Sequence, residues 1–148
     1  MHDYLEDKAK DELKRVDHLV YVSLKYTRTC DVMMNAMSRM ISAFEFGFND
    51  LTQFYYEKKK IKDVPDSFKE KVELLDIVLK NKIKPYTKLY AMLKKIEVSE
   101  YARREEYRKH VTMIVNLEGK KMEINVPMLL EYYKKTKEFV ELMKEVME

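Results

Sequence analysis

The chain has 148 residues, 37% charged and 46% hydrophobic, with a formal net charge of +3, 2 glycines, 3 prolines, 1 cysteine and no tryptophan. That length suits a single domain. So few turn formers argue against sandwiches and barrels, and Gly47 and Gly119 alone cannot build a nucleophile elbow, a Walker loop or a dinucleotide fingerprint. The lone Cys30 excludes an internal disulfide framework and an all-cysteine zinc cage, and fits a reducing, cytoplasmic setting. The acid-bearing start MHDYLEDKAKDELKR has no apolar core of signal-peptide length. No window of about 18 uncharged apolar residues follows, so neither export nor a membrane contact is expected.

From Tyr4 onward, Leu5, Ala9, Leu13, Val16, Val20, Leu24 and Thr27 recur every three or four residues, one stripe of an amphipathic helix. A second stripe runs through Met33, Met37, Met40, Phe44, Phe48, Leu51 and Tyr55, with Asp31 as its expected N-cap. Two such helices, each about 35 to 45 Å long, need to pack their stripes together, which predicts an antiparallel helix hairpin joined through SLKYTRTCD. One unbroken helix through residue 30 is the rival, because that stretch has neither Gly nor Pro. Gly47, inside the second stripe, is expected to allow a close helix approach, and the methionines along that stripe to fill core.

Pro65 disfavours helix just before it, and Ser67 with Glu70 makes a capping box for a helix facing Phe68, Val72, Leu75 and Val78 or Leu79 inward. Pro85 is expected to end or kink it. A short helix then follows through Leu89, Leu93 and Ile96, and Ser99 is expected to cap a polar helix, EYARREEYRK. At HVTMIVN the period changes to two, and a Glu118-Gly119 turn returns the chain along KKMEINV. This register sets Val115 opposite Met122, Met113 opposite Ile124 and Val111 opposite Val126, an apolar face. Asn116 with Lys121, Ile114 with Glu123 and Thr112 with Asn125 make a mostly polar one. Pro127 opens a last helix with a stripe at Leu129, Tyr133, Thr136, Val140, Met143 and Met147. The predicted fold is therefore mainly α: one helical bundle over residues 1–148 built on a long hairpin, with a small β-hairpin before the C-terminal helix.

Charge is unevenly placed. Residues 80–109 contain ten bases and four acids, net +6, on an acidic remainder, as expected of a face that meets phosphates. A solvated Lys-rich surface would read the same way, with Tyr86, Tyr90, Tyr101 and Tyr107 packing. The three histidines are scattered, and none has Glu three residues before it, so neither metal nor cofactor is expected. His2 is assigned to a fraying terminus and His18 to a packed or half-exposed structural place. His110 closes the basic segment, after Arg103, Arg104, Tyr107, Arg108 and Lys109, where an imidazole can meet a held phosphate. RNA is cut without metal when a base takes the 2′-hydroxyl proton and a fixed cation stabilises the phosphorane, roles that His and Arg fill. Lys94 and Lys95 extend the same basic segment. SLKYTRTCD is the other concentration of polar groups, either a simple connection or an anion or partner site of Lys25, Tyr26 and Arg28.

The order of two long helices, shorter helices, an Arg-rich segment leading to His, a hairpin and a last helix resembles the HEPN superfamily. Its signature, Arg and then His after a short interval, is matched by Arg104-Glu-Glu-Tyr-Arg-Lys-His110, or from Arg103. YVSLKYTRTCDV and EYRKHVTMIVN are also similar to stretches of small archaeal proteins. The HEPN resemblance implies a homodimer formed through the long hairpin. It also implies an RNA-binding domain, acting as a metal-independent endoribonuclease where Arg104 clamps phosphate and His110 is the acid-base group. Arg103, Arg108, Lys109, Tyr107, Lys94 and Lys95 are the expected RNA contacts. A non-catalytic helical protein-protein interaction module is the alternative, and the residues leave open which of the two the chain is.

Overall fold

The computed structural model describes residues 2–148, with side chains from Lys8 onward; Leu5 and His2 therefore lie outside the described side chains. It holds five helices and a three-stranded antiparallel sheet, a mainly α fold. Helix α1 runs from His2 to Tyr26 and contains a π-helical turn at Leu19–Ser23. Ala9, Val16, Val20 and Leu24 of its stripe are buried, Leu13 is partly so, and Thr27 lies beyond the helix and exposed. Helix α2 spans Cys30–Glu57. The hairpin reading holds and the unbroken helix does not, but the break is short: α1 continues through Ser23 to Tyr26, leaving only Thr27–Thr29 between the helices. The N-cap of α2 is Thr29, whose Oγ1 accepts from Val32 N at 3.3 Å, and not Asp31. Asp31 lies one residue inside the helix, where its carboxylate is drawn to side chains of the sheet.

Six of the seven residues on the second stripe are buried, with Tyr55 at its partly exposed end. The central core is aromatic: Phe44, Phe48 and Phe139 meet at centroid separations of 4.8 to 6.0 Å, and Tyr90 packs on Phe48 edge to face at 4.9 Å. Gly47 makes this closeness possible, since a Cβ there would lie 2.8 Å from Phe139 Cζ and 3.1 Å from Met143 Sδ. Between α1 and α2, the buried Glu12 carboxylate accepts from Arg15 Nη1 at 2.9 Å and Arg39 Nη1 at 3.4 Å.

Helix α3, Phe68–Leu79, begins as the capping box predicts: Ser67 Oγ accepts from Glu70 N at 3.1 Å, and only Leu75 of its inward residues is fully buried. It stops before Pro85 has any effect. A 3₁₀ turn, Lys80–Lys82, intervenes, and Pro85 occupies the first turn of α4, Lys84–Glu97, where its missing N–H has no helical partner to lose.

The segment after α4 departs from expectation. EYARREEYRK is not a helix: Tyr101–Arg104 form strand β1, and residues 105–111 form a loop. Ser99 caps nothing ahead of it, and its Oγ instead donates to Lys95 O at 2.6 Å. Strand β2, Thr112–Leu117, would otherwise present an unpaired edge, and β1 covers it in the register Tyr101 to Val115 and Arg104 to Thr112. Ladder bonds gained with β2 thus override the helix preference of a Glu- and Arg-rich segment. The small β-hairpin becomes the second and third strands of a sheet ordered β1-β2-β3, with β3 at Lys120–Ile124. Within it the predicted register holds for four pairs, Met113 to Ile124 through Asn116 to Lys121, and Leu117 pairs with Lys120 beside the turn. The Thr112–Asn125 and Val111–Val126 pairs fall outside the ladder. Glu118 (φ +54°) and Gly119 (φ +82°) are both left-handed, as a two-residue type I′ loop requires.

Helix α5, Val126–Met147, is capped by Asn125 Oδ1 accepting from Met128 N at 2.9 Å and buries every residue of its predicted stripe except Met147, which is half-buried. No described helix is long and apolar enough to cross a membrane.

Candidate nucleic-acid interface

The loop between β1 and β2 is clamped to the short α1–α2 connection. Tyr107 N donates to Arg28 O at 2.6 Å, and Glu106 Oε2 accepts from Cys30 N at 2.9 Å, satisfying an amide that the start of α2 leaves without a helical partner. Cys30 Sγ donates to Thr112 O at 3.3 Å. Arg103 donates to Asp31 Oδ1 at 2.9 Å and to Glu106 Oε2 at 3.2 Å, and the Tyr101 hydroxyl donates to Asp31 as well. The Arg103 and Tyr101 hydrogen bonds hold the Asp31 carboxyl below the usual carboxylate range, while burial and the Glu106 charge push the Cys30 thiol up. These contacts hold Glu105 (φ +54°) and Tyr107 (φ +65°) in a left-handed backbone that costs a side chain-bearing residue about 1 to 2 kcal/mol each.

The clamp brings together two segments whose contacting residues lie 76 to 82 positions apart in the chain. A cleft of about 400 Å³ is lined by Val20, Tyr21, Leu24, Lys25, Arg28, Lys109, His110, Val126 and Pro127. Its charged groups are all bases, and among the described residues no carboxylate lies within ion-pair distance of Lys25, Arg28, Lys109 or His110. Arg108, beside them and exposed, is likewise without an ion pair. Tyr21, 53% exposed, lines the cleft, and Tyr26 and Tyr107, chain neighbours of its lining residues or bonded to them by backbone, are 80% and 74% exposed. Tyr21 belongs to the π-helical turn, an irregularity found disproportionately at functional sites.

The other predicted contacts are employed elsewhere. Arg104 lies on the opposite sheet face from Arg103, as successive strand residues must, and pairs with Glu123 across the sheet. Lys94 is 3.7 Å from both Glu45 and Glu97, and Lys95 is 2.6 Å from Glu118. His110 therefore shares its cleft with Arg28 and not with Arg104, and it stands in a turn before β2 rather than at the end of a helix. His18 is exposed, not packed. Among the described residues no group of three His, Cys, Asp or Glu is placed to hold a metal ion.

Tyr21 and the apolar wall of the cleft escaped the sequence reading. A signal was present: Leu19, Val20, Tyr21 and Val22 are four consecutive apolar residues, more than one stripe of a helix can bury. Comparison with protein-family models, curated proteins and solved structures finds no match for this chain.

Proposed function

We propose that this chain is an RNA-binding domain, HEPN-like in its order of elements but without that family's Arg104–His110 pair, whose phosphate-binding centre is the cleft of Lys25, Arg28, Lys109 and His110. One observation carries the reading: cations from two distant segments converge in a carboxylate-free cleft, while Arg103, Arg104, Lys94 and Lys95 are neutralised by acids of the fold. Unpaired bases keep their field for an external anion. Exposed tyrosines beside them offer faces for base stacking.

The same cleft favours a second step, metal-independent cleavage. His110 is the one group there able to take the 2′-hydroxyl proton, and Arg28 and Lys109 are the cations available to the phosphorane. As His110 takes its proton, the 2′-oxygen forms its bond to phosphorus; the bond from phosphorus to the 5′-oxygen breaks, that oxygen leaves with the proton His110 returns, and a 2′,3′-cyclic phosphate remains.

The test is RNA binding across a salt series, with cleavage followed in chelator. Arg28→Glu with Lys109→Glu should weaken binding at least tenfold and flatten the salt slope by about 1.4, the share of two phosphate contacts on a single strand. His110→Ala should keep binding and lose cyclic-phosphate products. Wild-type protein that shows no salt-dependent affinity for RNA overturns the reading in favour of a non-catalytic helical protein-protein interaction module, for which Tyr21, Val22 and Tyr26 are the exposed apolar surface.

A further inference from the structure

A second basic cleft, of about 350 Å³, lies one step along the same helix, lined by Lys14, Arg15, His18, Leu19 and Arg39. It is built around a buried acid: Glu12, 5% exposed, draws Arg15 and Arg39 to one carboxylate from two different helices and so fixes both guanidiniums at the rim. One carboxylate against two arginines leaves excess positive charge, to which Lys14 adds. Lys14 and His18 are exposed and have no ion-pair partner among the described residues.

Both clefts are lined by α1, the second by residues up to Leu19 together with Arg39 of α2, and the first by residues from Val20 together with Val126 and Pro127 of α5. Lys14, His18, Tyr21 and Lys25 are all exposed on α1, Lys14 and His18 at the second cleft and Tyr21 and Lys25 at the first, with the exposed Asp17 among them held to the Tyr133 hydroxyl. Tyr21 lines the first cleft, its ring edge-on to Tyr133 at 6.3 Å. Lys14 and Lys25 are about 16 Å apart along the helix axis, farther than one phosphate reaches.

Resting on the RNA-binding reading above, we infer that the Lys14, Arg15, His18 and Arg39 cleft is a second phosphate subsite. A single strand runs along α1 from one cleft to the other, with a base stacked on Tyr21 between the two held phosphates. A duplex keeps its bases inside and cannot use that tyrosine.

The experiment measures binding of oligouridylates of about 4 and about 12 nucleotides, and of a duplex of similar length, to the full chain. Wild type should bind the longer strand at least tenfold more tightly than the shorter one and more tightly than the duplex. Lys14→Ala with His18→Ala removes no contact of the fold, so it should abolish most of the length advantage while leaving the short strand's affinity within about twofold. Circular dichroism confirms that this variant is folded, and Tyr21→Ala should lower long-strand affinity alone. A length advantage unchanged in the Lys14/His18 variant overturns the subsite, while loss of both affinities in Arg28→Glu shows that the first cleft stands. Duplex bound as tightly as single strand overturns the path along Tyr21. Failure of wild type to bind any of the three overturns the RNA reading itself.

Discussion

Asp31 takes the negative end of a small network, accepting from Arg103 and Tyr101 across the gap between α2 and β1. Its carboxyl is lowered from an ordinary value of 3.8, first by the Arg103 hydrogen bond and then by that of Tyr101. A depressed carboxyl stabilises the fold at pH above its unfolded value, and that contribution disappears as pH falls through the lower folded value. Asp31→Asn should therefore be less stable than wild type at pH 7, with the difference unchanged to about pH 5, shrinking as pH falls past 3.8 and gone only below the lowered folded value, as read by urea unfolding at each pH. A difference that persists at acid pH would show that packing, not charge, accounts for it. Gly47 answers to shape alone. Gly47→Ala gains helix propensity of about 1 kcal/mol but drives a methyl into the fully buried Phe139 ring, so a net loss of about 1 to 3 kcal/mol is expected in chemical denaturation.

At the scale of elements, the loop over residues 105–111 owes its shape to what it touches. Glu106 supplies two of the tethers, the bond from Cys30 N and that from Arg103. Glu106→Ala should cost about 1 to 2 kcal/mol, discounted for a partly exposed group. It should also release the backbone amides of 105–111 to fast hydrogen exchange while α2 and α5 keep their protection; retained protection in the loop would assign its order to the strands alone. The same loop marks where reading by period stopped being adequate. Both long stripes, the Ser67 cap, the Glu118-Gly119 turn and the β2–β3 register were legible, because each depends on residues near one another in the chain. Strand β1 was not: YARREEYRK has the composition of a helix, and it is extended because β2 offers an edge to pair. The Thr29 cap was missed for a related reason, since Asp31 and Thr29 are both good cap residues and contacts with β1 and Arg103 occupy Asp31.

At the scale of the molecule, the basic stretch of the middle of the chain divides into bases that hold the fold together and bases that have no ion-pair partner among the described residues. Arg103, Arg104, Lys94 and Lys95 belong to the first set, and Arg108, Lys109 and His110 to the second. Charge counting cannot separate them, because their carboxylate partners, Asp31, Glu123, Glu45 and Glu118, come from other elements. The predicted salt dependence of RNA binding is a property of the second set alone, joined by Lys25 and Arg28 from the helix connection and by Lys14 along α1.

The amino-acid sequence by itself determined the five helices that form, most of their buried faces, the turn of the β-hairpin and the two polar segments that stand out from them, because period, capping and turn chemistry are local. Only the tertiary structure decided that those two segments share a cleft, that Arg28 rather than Arg104 accompanies His110, and that a buried Glu12 sets two arginines at a second cleft. Backbone and ion-pair contacts between residues tens of positions apart make those decisions, and spacing along the chain carries no record of them.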